Sequence, residues 1–148
     1  MPVDHPAAYH EDIAAIVAEF EATTLPYAVW RLHATHLHVA LWYILHLPAG
    51  EAIERICQGI QRYNLVQGTL QTRTGGYQET LTLAFIHLIR HFAARTDRER
   101  PFAEIAGDLV RDLPDHRFVL HYYSKALIDS WTARTGWVEP DLQPLPPL

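Results

Sequence analysis

The chain has 148 residues, the size of one domain long enough to bury a core. Apolar residues make up 49% and charged residues 20%, a globular balance that excludes a disordered chain. A net charge of -5, with arginines scattered along the chain, argues against a nucleic-acid partner, because phosphate binding needs clustered basic side chains.

Helical periodicity dominates, and no run alternates as a strand would. Ile13, Ile16, Val17 and Phe20 recur at helical spacing, so a first helix is predicted over about 10–23, stopping before Pro26. A second runs over about 29–47 and is ended by Pro48 and Gly50. A third begins near Gly50, with Glu51 in its first turn, where the helix dipole favours negative charge. Its inward stripe is Ile53, Ile56, Cys57, Ile60, Tyr63 and Asn64. The segment 67–76 holds three glycines among Thr and Gln and reads as a loop.

The fourth predicted helix, about 77–94, is apolar on two sides: Leu81, Phe85, Leu88 and Phe92 form one stripe, Leu83 and Ile86 another. That pattern places it centrally in a bundle. Pro101 suits the first turn of a fifth helix, with Phe102, Ile105, Leu109 and Val110 inward. A last helical region covers about 118–134, broken near Ser124; Ser124 and Ser130 read as helix-start caps and Gly136 as a C-terminal cap. The tail from Val138 carries four prolines and should run extended over the surface, anchored by Trp137, Leu142 and Leu145. The expected architecture is all-α: one domain of about five or six helices, with residues 1–9 as an N-terminal arm and 138–148 as a Pro-rich tail.

The start of the chain has neither the basic nor the apolar region of a secretory signal, and the longest apolar stretch, 39–47, is too short to span a bilayer. Cys57 is the single cysteine, which fits a reducing cytoplasm. A cytoplasmic protein without a membrane or nucleic-acid partner is therefore expected. Cys57 lies on an apolar stripe and reads as a small buried hydrophobe rather than a nucleophile. No phosphate-cradling glycine loop and no nucleophile elbow is present.

Ten histidines are many for this length. His33, His36, Ala40, Tyr43 and Leu47 are spaced three, four, three and four apart, so both imidazoles share one helical stripe beside a small alanine. Glu79 opens the fourth predicted helix, where the dipole favours a carboxylate but burial makes it costly without a partner. Two imidazoles and a carboxylate with open positions make a workable site for Fe(II), Zn(II) or Mn(II). Without a metal, Glu79 would raise the pKa of a paired imidazole and a general base would result. A plain polar network among His33, His36 and Glu79, with Asn64 or Tyr43, is the non-chemical alternative. His87 and His91 form a second pair whose expected role is structural, at the end of their helix. His38 and His46 lie off the stripe and are expected at the surface or a helix end. His5, His10, His116 and His121 show no partner pattern.

Short motifs span most of the chain from the second predicted helix onward. They are His33-Ala-Thr-His36-Leu37 with Ala40 and Tyr43, then Arg62-Tyr63-Asn64, then Tyr77-Gln78-Glu79-Thr80-Leu81-Thr82. Tyr122-Tyr123-Ser124 and Val138-Glu139-Pro140-Asp141-Leu142 complete the set. With these the chain resembles an uncharacterised bacterial all-helical family, and the resemblance implies no known reaction. That family usually reads Tyr-His-Glu-Thr where this chain has Gln78. An amide there can hydrogen-bond but is a poor transition-metal ligand, so the resemblance implies a ligand pocket with Tyr77 and Gln78 more than it implies a metal.

The leading expectation is a small-molecule site, metal-dependent or not, in which His33, His36 and Glu79 ligate a cation or exchange protons. The ligand would lie beside Ala40 and Tyr43, with Asn64, Tyr77 and Gln78 in reach. The rival is a non-catalytic binding or assembly protein whose polar cluster is structural. Its Pro-rich tail and aromatics, Trp30, Trp131 and Trp137 among them, would then serve a homodimer or partner surface.

Overall fold

The computed structural model describes residues 12–148; the predicted N-terminal arm, His5 and His10 lie outside them. Asp12 caps α1 (Ile13–Glu21), its carboxylate accepting the Ala15 N–H at 3.3 Å. Inside α1 the predicted stripe holds, with Ile16, Val17 and Phe20 buried. The predicted second helix is two: a single turn, α2 (Tyr27–Trp30), and then α3 (His33–His46). Leu32 between them is extended, at φ -79 and ψ 133. No Pro or Gly marks this break.

The remaining helices follow in order. α4 (Ala49–Gln67) ends on Gly68, whose φ of 75 is the left-handed conformation that glycine adopts without Cβ cost. α5 (Glu79–Ala93) follows the loop, and α6 (Phe102–Asp112) starts behind Pro101. The last helical region is three short pieces: a 3-10 segment (His116–His121), α7 (Lys125–Ile128) and α8 (Trp131–Thr135). Ser124 and Ser130 cap α7 and α8 as expected, accepting from Leu127 N and Ala133 N. Gly136 ends α8 in extended rather than left-handed backbone. Among the described residues there is no strand, and no helix is long and apolar enough to cross a membrane.

α3 and α5 form the centre. α3 packs against α1, α2, α4, α5 and α6, while α5 packs against α3, α4, α8 and the 3-10 segment. This wrapping overturns the expectation for His38, which is 3% exposed with its ring edge-on to Phe102 of α6. A position off the main stripe is still interior on a helix covered from several sides. His46 sits at the end of α3 as expected, stacked on Trp42 and bonded to its carbonyl.

An aromatic cluster joins α1, α2 and α4. The ring centroids of Phe20 and Trp30 are 4.8 Å apart, those of Trp30 and Tyr63 5.4 Å. The buried Tyr63 hydroxyl donates to the Leu25 carbonyl at 2.7 Å, so it carries no unpaired polar group inward. Trp30 is 4% exposed and therefore belongs to the interior, not to the assembly surface suggested by its aromatic character.

The Pro-rich tail is stitched to its own chain. Thr80, fully buried at the start of α5, donates to the Gly136 carbonyl at 2.7 Å and accepts the Val138 N–H at 3.1 Å. Tyr123 donates to Val138 O, Leu142 N to Tyr122 O, and Ser124 N to the Asp141 carboxylate. Two of the short sequence motifs thus exist to hold each other. His87 and His91 bond the Pro146 and Pro147 carbonyls, each at 2.6 Å, which gives that pair its structural role. Of the predicted anchors Leu145 packs on the core, whereas Leu142 is 58% exposed and is held by its backbone.

Two substitutions test this packing. A Cβ on Gly59 of α4 would stand 2.6 Å from the Phe20 ring, which is fully buried and could yield only by leaving its stack on Trp30. Overpacking of about 1–3 kcal/mol outweighs the roughly 1 kcal/mol that alanine gains in a helix, so Gly59→Ala should lower the melting temperature by calorimetry. Thr80→Val would strand one carbonyl and one N–H, at a cost of about 2–4 kcal/mol, and should expose the tail to limited proteolysis.

Candidate functional site

The break at Arg31–Leu32 turns Trp30 inward and starts α3 with His33, so both candidate imidazoles lie in the first turn of α3. There they border a chamber of about 120 Å³ inside the bundle. Its walls are apolar: Phe20 and Trp30, Leu37 and Ala40 of α3, Ile56 of α4, and Ile89 of α5. Thr82 and His116 are its other polar lining. A second, outer cleft of about 290 Å³ adjoins it, sharing Trp30, His36, Ile60, Leu81 and Thr82. The outer cleft adds Arg31, Asn64, Thr69, Tyr77 and Gln78. His36 and Trp30, tilted together at 4.0 Å, thus stand between an apolar and a polar compartment.

The imidazoles are tuned to stay neutral. Burial, opposed by a hydrogen bond to the Leu113 carbonyl, holds the His33 pKa below its ordinary value, with His116 also lowering it. His33 Nε2 lies 2.8 Å from Leu113 O. A carbonyl only accepts, so Nε2 carries the proton and Nδ1 is left as an acceptor in the neutral ring. The His36 pKa is pushed down to about 4, first by desolvation and then by the neighbouring His33, while the Trp30 backbone carbonyl pulls it partly back. His36 nevertheless keeps exposed surface. Protein atoms crowd the ring on the Trp30 side, and its exposed surface opens where it borders the two compartments. The outcome is an accessible neutral imidazole that can donate or accept a hydrogen bond.

Glu79 does not join the two histidines. Its carboxylate accepts the Tyr77 hydroxyl at 2.6 Å, and it does not line either compartment. Tyr77 turns to Glu79 and to the Cys57 thiol, and burial followed by these two partners drives its phenol pKa strongly up. Burial likewise raises the half-buried Cys57 thiol, in keeping with an inert role. Among the described residues no group of three His, Cys, Asp or Glu stands together as a metal would need, so the expected His33/His36/Glu79 set is not assembled. The reason is helical phase: Glu79, at the first position of α5, points towards α4, whereas Leu81, Thr82 and Phe85 face the chamber.

Tyr43 is also elsewhere. Two turns beyond His36, it is buried and donates to Glu21 at 2.6 Å, near Arg55, which bridges Glu21 and Glu51. Gln78 lines the outer cleft, yet its amide nitrogen is taken by the Ile128 carbonyl, so it ties α5 to α7. Asn64 lines the outer cleft as expected, and its side chain has no hydrogen-bond partner among the described residues. The outer cleft therefore gathers His36, Asn64, Tyr77 and Gln78, and the chamber gathers His33 and His36. His116, Arg31 and Thr82 were not singled out from the sequence as lining residues. His116 lies some eighty positions from His33 and carries no spacing signal; Thr82 was visible only within a motif.

The fold and site define an all-helical protein with a two-compartment cavity divided by a neutral histidine. Set against protein-family models, characterised proteins and solved structures, the chain has no match.

The depressed histidines set a pH dependence. In the unfolded chain His36 titrates at 6.5 and in the fold at about 4, so between these values the unfolded state binds more protons. Stability is complete above that window and falls as the pH drops through it. Thermal melts across the window should show this loss, and a His36→Gln variant should show a shallower slope.

Proposed function

We propose that the protein binds a small organic molecule whose apolar part fills the inner chamber and whose polar part meets His36 and the outer cleft. The observation that carries this reading is the accessible, neutral imidazole of His36 at the junction of an apolar void and a polar cleft. A plain structural histidine would be closed over by its neighbours. Here a void of about 120 Å³ adjoins it, close in size to an engineered apolar cavity of about 150 Å³ that admits benzene. An apolar pocket with a few convergent polar groups is the usual form of a small-molecule site.

His33 and His36 give the site hydrogen-bonding and proton-accepting capacity without charge. Neutral nitrogen in an apolar wall favours a ligand with one hydroxyl, carbonyl or carboxyl group near a hydrocarbon body, because each polar atom then has a partner on burial. His36, the first group that such a polar atom would meet, is also the residue best placed to accept a proton from it.

Benzene or indole titrated into the full chain should shift the NMR signals of residues lining the chamber and raise the melting temperature. Ala40→Leu, which fills the chamber from α3, should abolish that binding while leaving the melting temperature unchanged or higher. Equal binding by wild type and Ala40→Leu would remove the chamber from consideration. Elemental analysis of the same preparation reads the metal expectation: near-stoichiometric Fe, Zn or Mn, lost in His36→Ala, would return the histidines to a ligand role.

A further inference from the structure

We propose that the ligand is a small carboxylic acid, its ring or branched hydrocarbon body in the inner chamber and its carboxylate at Arg31 and Asn64 in the outer cleft. This rests on the reading of the cavity as a ligand site and adds the chemical class of its occupant.

The argument is the sign of the lining. The chain carries 17 Asp and Glu against 12 Lys and Arg, so acidic side chains outnumber basic ones overall. Among the described residues no Asp or Glu lines either compartment. Of the acidic residues next to the lining, Glu79 accepts from Tyr77, Asp115 from the Arg117 side chain and backbone, and Glu21 from Tyr43 and Arg55. Arg31 is the one permanently charged lining group, and it makes no ion pair among the described residues. Arg55, Arg100, Arg111 and Arg117 pair with carboxylates, whereas most arginines among the described residues do not, so what sets the exposed Arg31 apart is its place in the cleft lining.

A cationic ligand would therefore meet Arg31 with no compensating charge, and a neutral hydroxyl would accept an ordinary hydrogen bond from it without an ion pair. An anion gains a guanidinium that presents planar, forked donors suited to a carboxylate, and the Asn64 amide adds a further donor. The compartment volumes bound the rest. About 120 Å³ takes a single ring or a short branched chain, and about 290 Å³ takes the linker and head group. One arginine suits a monoanion better than a dianionic phosphate.

Three probes with one skeleton separate the possibilities: 3-phenylpropionate, 3-phenylpropan-1-ol and 3-phenylpropylamine, titrated by calorimetry into the full chain. The acid should bind roughly fivefold more tightly than the alcohol, as an accessible ion pair allows, and the amine most weakly. Added salt should weaken the acid alone. Arg31→Gln should abolish the preference for the acid over the alcohol, together with its salt dependence. If alcohol, acid and amine bind alike, or if Arg31→Gln keeps the preference, the carboxylate assignment is overturned while the cavity stands. If none of the three binds, the cavity reading falls and the ligand class falls with it.

Discussion

The contact on which this protein depends is the stacking of Trp30 into the ring cluster of Phe20 and Tyr63. It joins α1, α2 and α4, and by drawing Trp30 inward it accompanies the interruption of the chain before α3. Because α3 starts afresh at His33, its first turn presents His33 and His36 to the space behind Trp30. Aromatic pairs of this kind contribute about 0.5–1.5 kcal/mol beyond their buried area, enough to choose one local geometry over a continuous helix. The wall of the cavity and the position of its histidines are thus set by the same packing event.

Polar groups in the interior divide into two kinds. Most are closed off: Tyr63 on Leu25, Tyr43 on Glu21, Thr80 on the backbone of the tail, Gln78 on Ile128. These satisfy buried donors and acceptors and fix how elements meet, which agrees with the rule that a buried polar atom without a partner is expensive. His36, which is exposed, and Asn64, which is half-buried, instead border the two compartments. The functional reading comes from this contrast, and it narrows seven candidate residues to those that face the cavity.

The tail illustrates how side chains that look like chemistry become fasteners. His87 and His91 sit one turn apart on α5, a spacing that suits metal ligation, but each imidazole is bonded to a proline carbonyl. A carbonyl before or within a proline run has no helix or sheet to accept from, so an imidazole N–H is an apt partner. Arg95 adds a donor to the His91 carbonyl at 3.1 Å, reinforcing the end of α5 against the strap.

The sequence alone determined the all-helical class, the buried stripe of α1, the buried Ile56 and Tyr63 of α4 and Ile105 and Leu109 of α6, the serine caps and the central place of the helix with two apolar sides. Those properties are local or periodic: a 3.6-residue repeat, a capping hydroxyl or a proline acts within a turn or two of itself. It also indicated His33, His36 and Asn64 as cavity residues, since stripe membership follows from spacing. Only the tertiary structure decided that Glu79 turns to Tyr77, that Tyr43 reaches Glu21, that His38 is interior and that His116 joins the chamber. Each of these depends on the rotational phase and axial offset between separate helices, and a shift of one position on α5 turns a side chain through about 100°. Spacing within one helix carries no information about that relation, which is settled by how the ridges of neighbouring helices interlock.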